Sequence, residues 1–206
     1  MTLVKICGVV DPANARMAAE MGADFLGLNF YPRSPRYVEI ERAREIASAV
    51  RDSPVRLVGV FVNRPAREVE EIESAVGLDL LQLSGDETPE EAAPFMGRAI
   101  KAFRDTDGMG GWADAWAWLF DAPHGSLYGG TGMAWNFQAV ARIAGDRRVF
   151  VAGGLGPDNV RQAVAASRPF AVDVCSRVES APGIKDPELL KRLFQEVRNA
   201  QSQTPP

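Results

Sequence analysis

The sequence predicts an α/β fold, a single minimal (β/α)8 barrel with a degenerate fifth helix. Short β-branched or apolar runs alternate with segments of helical period along the chain, as in a parallel sheet with crossover helices. Eight such units fit into 206 residues, near the lower limit of length for this barrel. No linker or low-complexity block divides the chain. We therefore expect one domain over residues 1–198 and a frayed, polar C-terminal tail over residues 199–206.

The strands are predicted from short aliphatic or aromatic runs that turn residues bound on each side. These runs are Leu3–Ile6, Phe25–Phe30, Leu57–Asn63, Leu78–Leu83, Ala99–Phe103, Ala117–Asp121, Arg148–Ala152 and Phe170–Val174. Because a crossover segment follows each of them, we expect the strands to run parallel to one another.

Seven segments between the strands have the period of a helix. They are Asp11–Met21, Glu39–Val50, Pro65–Ala75, Pro89–Met96, Asn136–Ala144, Pro157–Ala166 and Pro187–Arg198. Pro12 and Pro157 stand where a first helical turn accepts a residue without an N–H, and Asn136 is a predicted N-cap. The fifth unit lacks such a segment, because residues 105–115 are rich in glycine and tryptophan and predict a turn or a short stub.

An open, doubly wound sheet is the alternative arrangement. It usually has fewer strands, and it often carries a G-x-G-x-x-G turn after the first of them. In this chain the corresponding turn reads CGVVD at residues 7–11, without that pattern. The closed barrel is therefore the favoured topology.

The composition excludes several classes of protein. A net charge of −4 disfavours nucleic-acid binding, which needs clustered Lys and Arg. No apolar run approaches the roughly 20 residues of a membrane helix, and the N-terminus has no apolar signal core. Two cysteines and one histidine disfavour a disulfide scaffold and a zinc cluster. We expect a cytoplasmic enzyme or small-ligand binder, with neither a nucleic-acid nor a membrane partner.

Side-chain parity predicts which strand residues enter the barrel. If the aliphatic positions face the helices, the alternate positions face the lumen. The polar residues so turned inward lie toward the C-terminal ends of their strands: Lys5, Cys7, Gln82, Ser84, Asp121, Asp173 and Cys175. Active sites of such barrels form at that end, so Gln82 and Asp173 are candidate substrate-binding residues. The alternative is a Lys5–Asp173 bridge that only joins the first and last strands.

Two of these inward residues are candidates for acid–base chemistry. Cys7, at the end of the first strand, is a candidate nucleophile or base, because the nearby Lys5 favours the thiolate. Asp121, at the end of the sixth strand, is a candidate proton donor. The alternatives are a buried, inert cysteine and an aspartate that caps a helix or braces a loop. The lone His124 has no predicted partner and is expected at the surface.

Small residues and arginines that follow the strands predict anion binding. Backbone N–H groups in glycine-rich loops bind phosphate, and such barrels often bind it after strands seven and eight. The candidates are Gly130, Gly132, Gly153, Gly154 and Ser176. Ordinary tight turns are the alternative. In the loop after the second strand, Arg33 and Arg36 present guanidinium forks, one of them suited to a carboxylate or phosphate and the other expected in solvent.

Short blocks along nearly the whole chain fit one known pattern. They are KICG (5–8), SPRYV (34–38), VGVFVN (58–63), LQLSGDE (81–87), GGTG (129–132), AGGL (152–155) with NV (159–160), VDV (172–174) and GIKD (183–186). Each block is weak alone, but the ordered set is specific. It resembles the phosphoribosylanthranilate isomerase family.

The resemblance implies a TIM-barrel enzyme of tryptophan biosynthesis. The expected reaction is the Amadori rearrangement of N-(5-phosphoribosyl)anthranilate to 1-(2-carboxyphenylamino)-1-deoxy-D-ribulose 5-phosphate, without a metal or organic cofactor. The resemblance implies that Cys7 is the general base, that Asp121 is the general acid and that Arg36 binds the anthranilate carboxylate. It also implies that the glycine loops and Ser176 hold the phosphate of this small-molecule substrate.

Three positions depart from the family pattern. Ser84 stands in place of a usual histidine, Cys175 in place of a serine and Arg177 in place of a glycine, where it either reinforces phosphate binding or restricts the loop. Two other functions stay open. One is the same rearrangement of the histidine-pathway aminoimidazole ribotide, whose enzymes resemble this chain but place an aspartate where Cys7 stands. The other is a catalytically silent barrel that binds phosphorylated ligands or a partner protein. We expect a monomer or a homodimer.

Overall fold

The computed structural model describes residues 1–104, 109–121 and 145–202. Eight parallel strands close into a barrel in which each strand pairs with its neighbours in chain order and the last pairs with the first. The strands are β1 (Leu3–Cys7), β2 (Phe25–Asn29), β3 (Arg56–Phe61), β4 (Leu80–Leu83), β5 (Ala99–Phe103), β6 (Ala117–Asp121), β7 (Val149–Ala152) and β8 (Ala171–Val174). The predicted (β/α)8 fold is therefore confirmed, and the open sheet is excluded.

Five α-helices surround the described part of the barrel. They are α1 (Pro12–Glu20), α2 (Ile40–Ala49), α3 (Ala66–Val76), α4 (Val160–Ser167) and α5 (Pro187–Ser202). Asp11 caps α1, since its side chain accepts hydrogen bonds from two backbone N–H groups of the first turn, and Pro12 opens the helix. The predicted helix Asn136–Ala144 lies outside the described residues.

Three helical predictions need correction. The helix predicted over Pro157–Ala166 begins only at Val160, and Pro157 lies in the turn before it. Instead of an α-helix over Pro89–Met96, the structure has a 3-10 helix, Ala93–Arg98. Pro94 stands inside the predicted segment, where it lacks an N–H and clashes with the preceding turn of an α-helix. The third difference is at the C-terminus, where α5 continues to Ser202. Gln201 Nε2 donates to the Thr2 carbonyl at 2.7 Å, so the first residues of the predicted frayed tail are ordered against the barrel.

The strand side chains divide into two apolar groups, as parity predicts. The helix-facing positions of β1, β4, β6 and β8 belong to the large core between barrel and helices. A smaller core fills the barrel itself and consists of Phe25, Val58, Leu80, Ile100, Ala117, Leu119, Phe150, Ala152 and Ala171. The lumen is therefore packed with apolar side chains wherever it is not occupied by the polar residues predicted above.

Aromatic rings close the N-terminal end of the barrel. Phe25 packs edge-on against Phe150 with ring centroids 5.3 Å apart, and Trp116 and Phe170 complete the cluster. The guanidinium of Arg56 lies 4.8 Å from the centre of the Trp116 ring. Aromatic rings thus fill this end of the lumen, and the polar residues that line the cavity lie toward the opposite, C-terminal end.

A small hairpin that the sequence did not predict follows β8. A three-residue 3-10 helix, Ser176–Val178, leads into β9 (Glu179–Ala181), which pairs antiparallel with β10 (Ile184–Lys185). The backbone N–H of Lys185 donates to Asn14 Oδ1 at 2.6 Å, which fixes the hairpin to α1. None of the helices described has the length and apolar composition needed to cross a membrane.

Candidate active site

A cavity of about 660 Å³ opens at the C-terminal end of the barrel. At least one residue from every strand lines it: Cys7, Asn29, Val60, Gln82, Ala102, Asp121, Ala152 and Asp173. Its volume lies in the range of small-molecule sites. Among the sequence-predicted site residues, it brings together Cys7, Arg36, Gln82, Asp121, Gly153, Gly154, Asp173 and Ser176. Gly130 and Gly132 lie outside the described residues, as does His124.

A buried lysine crosses the lumen beneath the cavity. Lys5 Nζ donates to Asp173 Oδ2 at 2.9 Å and to Gln82 Oε1 at 2.8 Å. Although burial lowers the pKa of Lys5, the charges of Asp173 and Cys7 raise it more, so the ammonium stays protonated. Asp173 Oδ1 is buried and has no hydrogen-bond partner among the described residues. The bridge between the first and last strands therefore exists, and it also holds a positive charge near Cys7.

The lysine also orders one side of the cavity. Because Gln82 Oε1 accepts from Lys5, its amide nitrogen points the other way and donates to Ser84 Oγ at 3.0 Å. Ser84 lines the cavity, and its hydroxyl proton has no acceptor among the residues that the structure describes. The chain Lys5–Gln82–Ser84 thus presents a small polar group at the position where the family pattern has a histidine.

Cys7 is the most acidified thiol of the site. The pKa of Cys7 is lowered to about 7, first by a side-chain hydrogen bond from Cys175 and then by the charge of Lys5, in opposition to burial. The same hydrogen bond, with burial, raises the pKa of Cys175, which stays a thiol. The strand register pairs Ile6 of β1 with Val174 of β8. Cys7 and Cys175 directly follow these two residues, so they lie side by side at the C-terminal ends of the two strands.

Two glycines make room for the side chains of Cys7 and Arg36. A Cβ on Gly27 of β2 would lie 2.8 Å from the Cys7 sulfur, so any side chain there would displace the thiol. Gly8 has φ +70° and a Cβ there would lie 2.4 Å from the Arg36 side chain. Gly8 thus allows Arg36 to lie across the end of β1.

Asp121 ends β6, two strands removed from β8 around the barrel, and lines the same cavity as Cys7. Asp121 is exposed. A ligand that enters the cavity can therefore reach its carboxyl group and exchange a proton with it. An acid and a base candidate therefore border one hollow from different strands.

The loop after β7 contains two glycines that were predicted to bind phosphate. Gly153 and Gly154 are both left-handed, with φ +91° and +62°, conformations that only glycine adopts without strain. Asn159 braces the loop, since its Oδ1 accepts from the Gly156 N–H at 2.8 Å and its Nδ2 donates to the Gly154 carbonyl at 3.0 Å. Ser176, the second residue after the end of β8, lines the same cavity as these glycines.

Arg177 does not line this cavity. It packs on Gly156, where a Cβ would lie 2.7 Å from Arg177 Cβ, and its Nη2 donates to Asp158 Oδ2 at 3.3 Å. The replacement of the usual glycine therefore adds a surface contact between the loop after β8 and the start of α4, and the adjacent Gly156 has the space that the arginine needs.

Arg36 is held by a carboxylate that sequence reasoning missed. Its Nε and Nη2 donate to both oxygens of Glu179, at 2.6–3.1 Å. Burial opposes ionisation of Glu179, but the hydrogen bonds from Arg36 and Lys185 keep its pKa below the usual value. The GIKD block contained Lys185, but no pattern assigned it a role. By contrast, Arg33 lies on the surface over the Tyr31 ring, as expected for the arginine of this loop that remains in solvent.

A metal centre finds no support in the described part of the chain, where no three His, Cys, Asp or Glu side chains come together as ligands. The cavity is instead lined by two thiols, two side-chain amides and separate carboxylates, a set suited to proton transfer between an organic substrate and the protein.

Comparison with known proteins identifies the family. The model of the family described as N-(5'phosphoribosyl)anthranilate (PRA) isomerase matches residues 4–196. The N-(5'-phosphoribosyl)anthranilate isomerase of Syntrophus aciditrophicus is 44% identical, over 98% of this chain and 89% of that protein. The enzyme of Rubrobacter xylanophilus is 42% identical, over 97% and 100%.

Solved structures agree with this match. Phosphoribosyl anthranilate isomerase from Thermotoga maritima is 35% identical with a TM-score of 0.84, over 97% of this chain and all of that chain. A phosphoribosyl anthranilate isomerase in complex with reduced 1-(o-carboxyphenylamino)-1-deoxyribulose 5-phosphate is 33% identical with a TM-score of 0.85 over the same shares. The sequence match over nearly the full length, the closed barrel and the polar cavity at its C-terminal end together place this chain in the phosphoribosylanthranilate isomerase family.

Proposed function

We propose that Cys7 is the general base and Asp121 the general acid of the isomerase reaction in this cavity. The reaction is the Amadori rearrangement of N-(5-phosphoribosyl)anthranilate to 1-(2-carboxyphenylamino)-1-deoxy-D-ribulose 5-phosphate in tryptophan biosynthesis. One observation carries the residue assignment. An acidified thiol and an accessible carboxyl group from different strands border the same hollow.

The proposed steps need one acid and one base. Asp121 donates a proton to the furanose ring oxygen as the bond from that oxygen to C1′ breaks, and the nitrogen lone pair forms a Schiff base. The Cys7 thiolate then removes the proton from C2′, and the electron pair of that C–H bond moves through C1′ to the nitrogen. The resulting enolamine tautomerises to the ketone. Each positioned proton transfer contributes about 10²–10⁴-fold to the rate.

No metal or organic cofactor enters this mechanism, because the substrate nitrogen is itself the electron sink. Lys5 supports the base, since its buried positive charge favours the thiolate of Cys7 over the thiol. Asp173 and Gln82 keep that ammonium in place and border the substrate.

Two anion sites would orient the substrate. The guanidinium of Arg36 retains Nη1 without a hydrogen-bond partner among the described residues, and this group is proposed to bind the anthranilate carboxylate. Gly153, Gly154 and Ser176 are proposed to bind the phosphate through the loops after β7 and β8. Gly130 and Gly132 are proposed to join them from the loop after β6.

We further propose that residues 1–198 work as one cytoplasmic domain, as a monomer or a homodimer. Steady-state turnover with the anthranilate substrate and with the histidine-pathway aminoimidazole ribotide tests the chemical assignment. Only the first substrate is expected to react, and C7A and D121N are expected to lose kcat by about 10²-fold or more. Full activity of C7A contradicts the base assignment. A wild-type chain that turns over neither substrate is a silent binding barrel.

A further inference from the structure

Glu179 is a buried carboxylate that no step of the proposed mechanism uses. Its side chain is 4% exposed, and it accepts hydrogen bonds from two cations of different elements. Arg36 comes from the loop after β2, and Lys185 comes from the second strand of the hairpin. Arg36 is itself proposed to bind the substrate carboxylate, and Lys185 contacts the backbone of the proposed base, Cys7. Glu179 therefore links two parts of the site that are far apart in sequence.

The first link sets the direction of Arg36. Glu179 Oε2 accepts from Nη2 at 2.6 Å, and Nε donates to both carboxylate oxygens at 2.9 and 3.1 Å. This bidentate contact fixes the plane of the guanidinium and occupies one of its edges. The remaining Nη1 and one N–H of Nη2 are left for a second carboxylate. A flexible arginine side chain would otherwise lose rotamer freedom on binding that carboxylate.

The second link reaches the base. Lys185 Nζ is fully buried and donates to Glu179 Oε1 at 2.6 Å, to the Cys7 carbonyl at 2.6 Å and to the Cys175 carbonyl at 3.5 Å. These three acceptors match the three N–H donors of an ammonium group. The lysine thus joins the C-terminal ends of β1 and β8 at the two residues that carry the thiols.

We propose that Glu179 is a positioning residue that holds Arg36 for the substrate carboxylate and, through Lys185, holds the Cys7 end of β1. This role rests on the proposed function. Without the carboxylate, the buried Lys185 and the partly buried Arg36 have no negative charge between them, and each turns toward water or another acceptor. Arg36 then loses its fixed plane, and the Cys7 carbonyl loses part of its anchor. Loss of Glu179 should therefore weaken both substrate binding and proton abstraction.

The E179Q variant tests this role against a matched control. Glu73 also pairs with an arginine, Arg98, but on the outer side of the molecule and away from the cavity. The measurements are kcat and KM, binding of reduced 1-(o-carboxyphenylamino)-1-deoxyribulose 5-phosphate by calorimetry, and thermal unfolding. For E179Q we expect about ten-fold weaker binding of this analogue and a fall in kcat of between about 10- and 10²-fold. For E73Q we expect both constants to stay within about two-fold of wild type.

A second variant separates the two links. K185M removes the contact with the Cys7 carbonyl but leaves the bidentate pair between Glu179 and Arg36. We expect kcat and the rate of Cys7 alkylation by iodoacetamide near neutral pH to fall, while analogue affinity stays within about two-fold of wild type. Lys185 also helps to lower the pKa of Cys7, so the alkylation profile should shift to higher pH.

The outcomes distinguish the positioning role from the proposed function. If the wild type turns over the substrate and E179Q keeps the kcat and analogue affinity of the wild type, the role of Glu179 is overturned and the proposed function is not. Equal losses in E179Q and E73Q overturn it as well, because they would reflect general destabilisation. If E179Q does not fold, E179D carries the same expectation and the same overturning result, since it withdraws the carboxylate by one methylene group. A wild-type chain without turnover overturns the proposed function instead.

Discussion

Two buried lysine–carboxylate pairs border the cavity, and they differ in how their oxygens are used. Lys5–Asp173 lies inside the barrel, and Asp173 Oδ1 has no partner among the described residues. Lys101–Glu87 has similar burial, yet Glu87 accepts from Lys101 and from the backbone N–H groups of Asn63, after β3, and Gly85, after β4. Both oxygens of Glu87 therefore already accept hydrogen bonds from the protein, whereas one oxygen of Asp173 has no donor among the described residues. The comparison indicates that bordering a cavity does not by itself make an ion pair part of its chemistry.

The position of each pair in the fold agrees with this difference. Register pairs Lys101 with Leu83, a helix-facing residue, so Lys101 projects to the outer side of β5. No helix covers that side in the described residues between β5 and β6, and the Trp112 ring lies 5.0 Å from Lys101 Nζ. The outer pair thus takes the place of helix packing in the degenerate fifth unit. The inner pair supports a thiol.

The largest effect is expected from loss of the inner lysine. K5M removes the positive charge beside Cys7 and leaves Asp173 buried without a cation, so the pKa of Cys7 should rise. We expect kcat near neutral pH to fall by about 10²-fold, the size of one positioned proton transfer. Steady-state kinetics between pH 6 and pH 9 checks this. Wild-type kcat in K5M at neutral pH would show that Lys5 is only a brace between two strands.

The outer lysine should affect stability rather than turnover. K101M leaves Glu87 with its two backbone donors but without a counter-ion, and breaking a buried pair costs about 3 kcal/mol. Chemical unfolding measures that loss. We expect kcat of the folded variant to stay within about three-fold of wild type, a range that couplings between neighbouring sites can produce. A loss of kcat as large as that of K5M would end the distinction between the two pairs.

The sequence predicted the inner pair but not the outer one, because side-chain periodicity describes strands and not loops. Strand parity has period two, so Lys5 and Asp173 could be placed in the lumen once Val4, Ile6, Val172 and Val174 were assigned to the helices. Lys101 has outward parity, and parity alone gives an outward lysine no partner. Its partner Glu87 comes from a loop, where no periodicity applies.

The sequence did not predict the contacts of Glu179 with Arg36 and Lys185, for a related reason. Glu179 follows β8 on a short hairpin entered through a 3-10 turn, so neither strand nor helix period describes its direction. Arg36 was predicted as a ligand of a carboxylate, and the structure gives it one from the protein itself. The shortened α4 shows the limit of local signals as well, because Pro157 stands in the turn before the helix and not in its first turn.

The neighbouring thiol should change kcat near neutral pH by a smaller factor than Lys5, because K5M also leaves the negative charge of Asp173 unpaired beside Cys7, whereas C175A leaves that charge paired. Because the thiolate is the base, kcat/KM falls as pH drops through the Cys7 pKa of about 7. C175A removes the largest cause of that low value, so the apparent pKa should move toward 9.0 and kcat/KM at pH 7 should fall several-fold. At alkaline pH the two proteins should converge.

C175S is the matched control for this measurement. Its hydroxyl keeps a donor beside the Cys7 sulfur, so its profile should stay close to that of the wild type. The rate of Cys7 alkylation against pH checks the same ionisation without substrate. Superimposable profiles for C175A and the wild type would mean that the hydrogen bond between the thiols does not set the acidity of Cys7.

The smallest effect is expected at Arg177, an exposed counterpart to both buried pairs. Its contact with Asp158 spans 3.3 Å, and exposed pairs of this kind contribute about 0–1 kcal/mol. Since Arg177 does not line the cavity, R177A should leave KM for the phosphorylated substrate within about two-fold of wild type. A rise in KM of about ten-fold or more would indicate instead that Arg177 turns toward the phosphate when substrate binds. The phosphate site would then extend beyond Gly153, Gly154 and Ser176 to this exposed guanidinium.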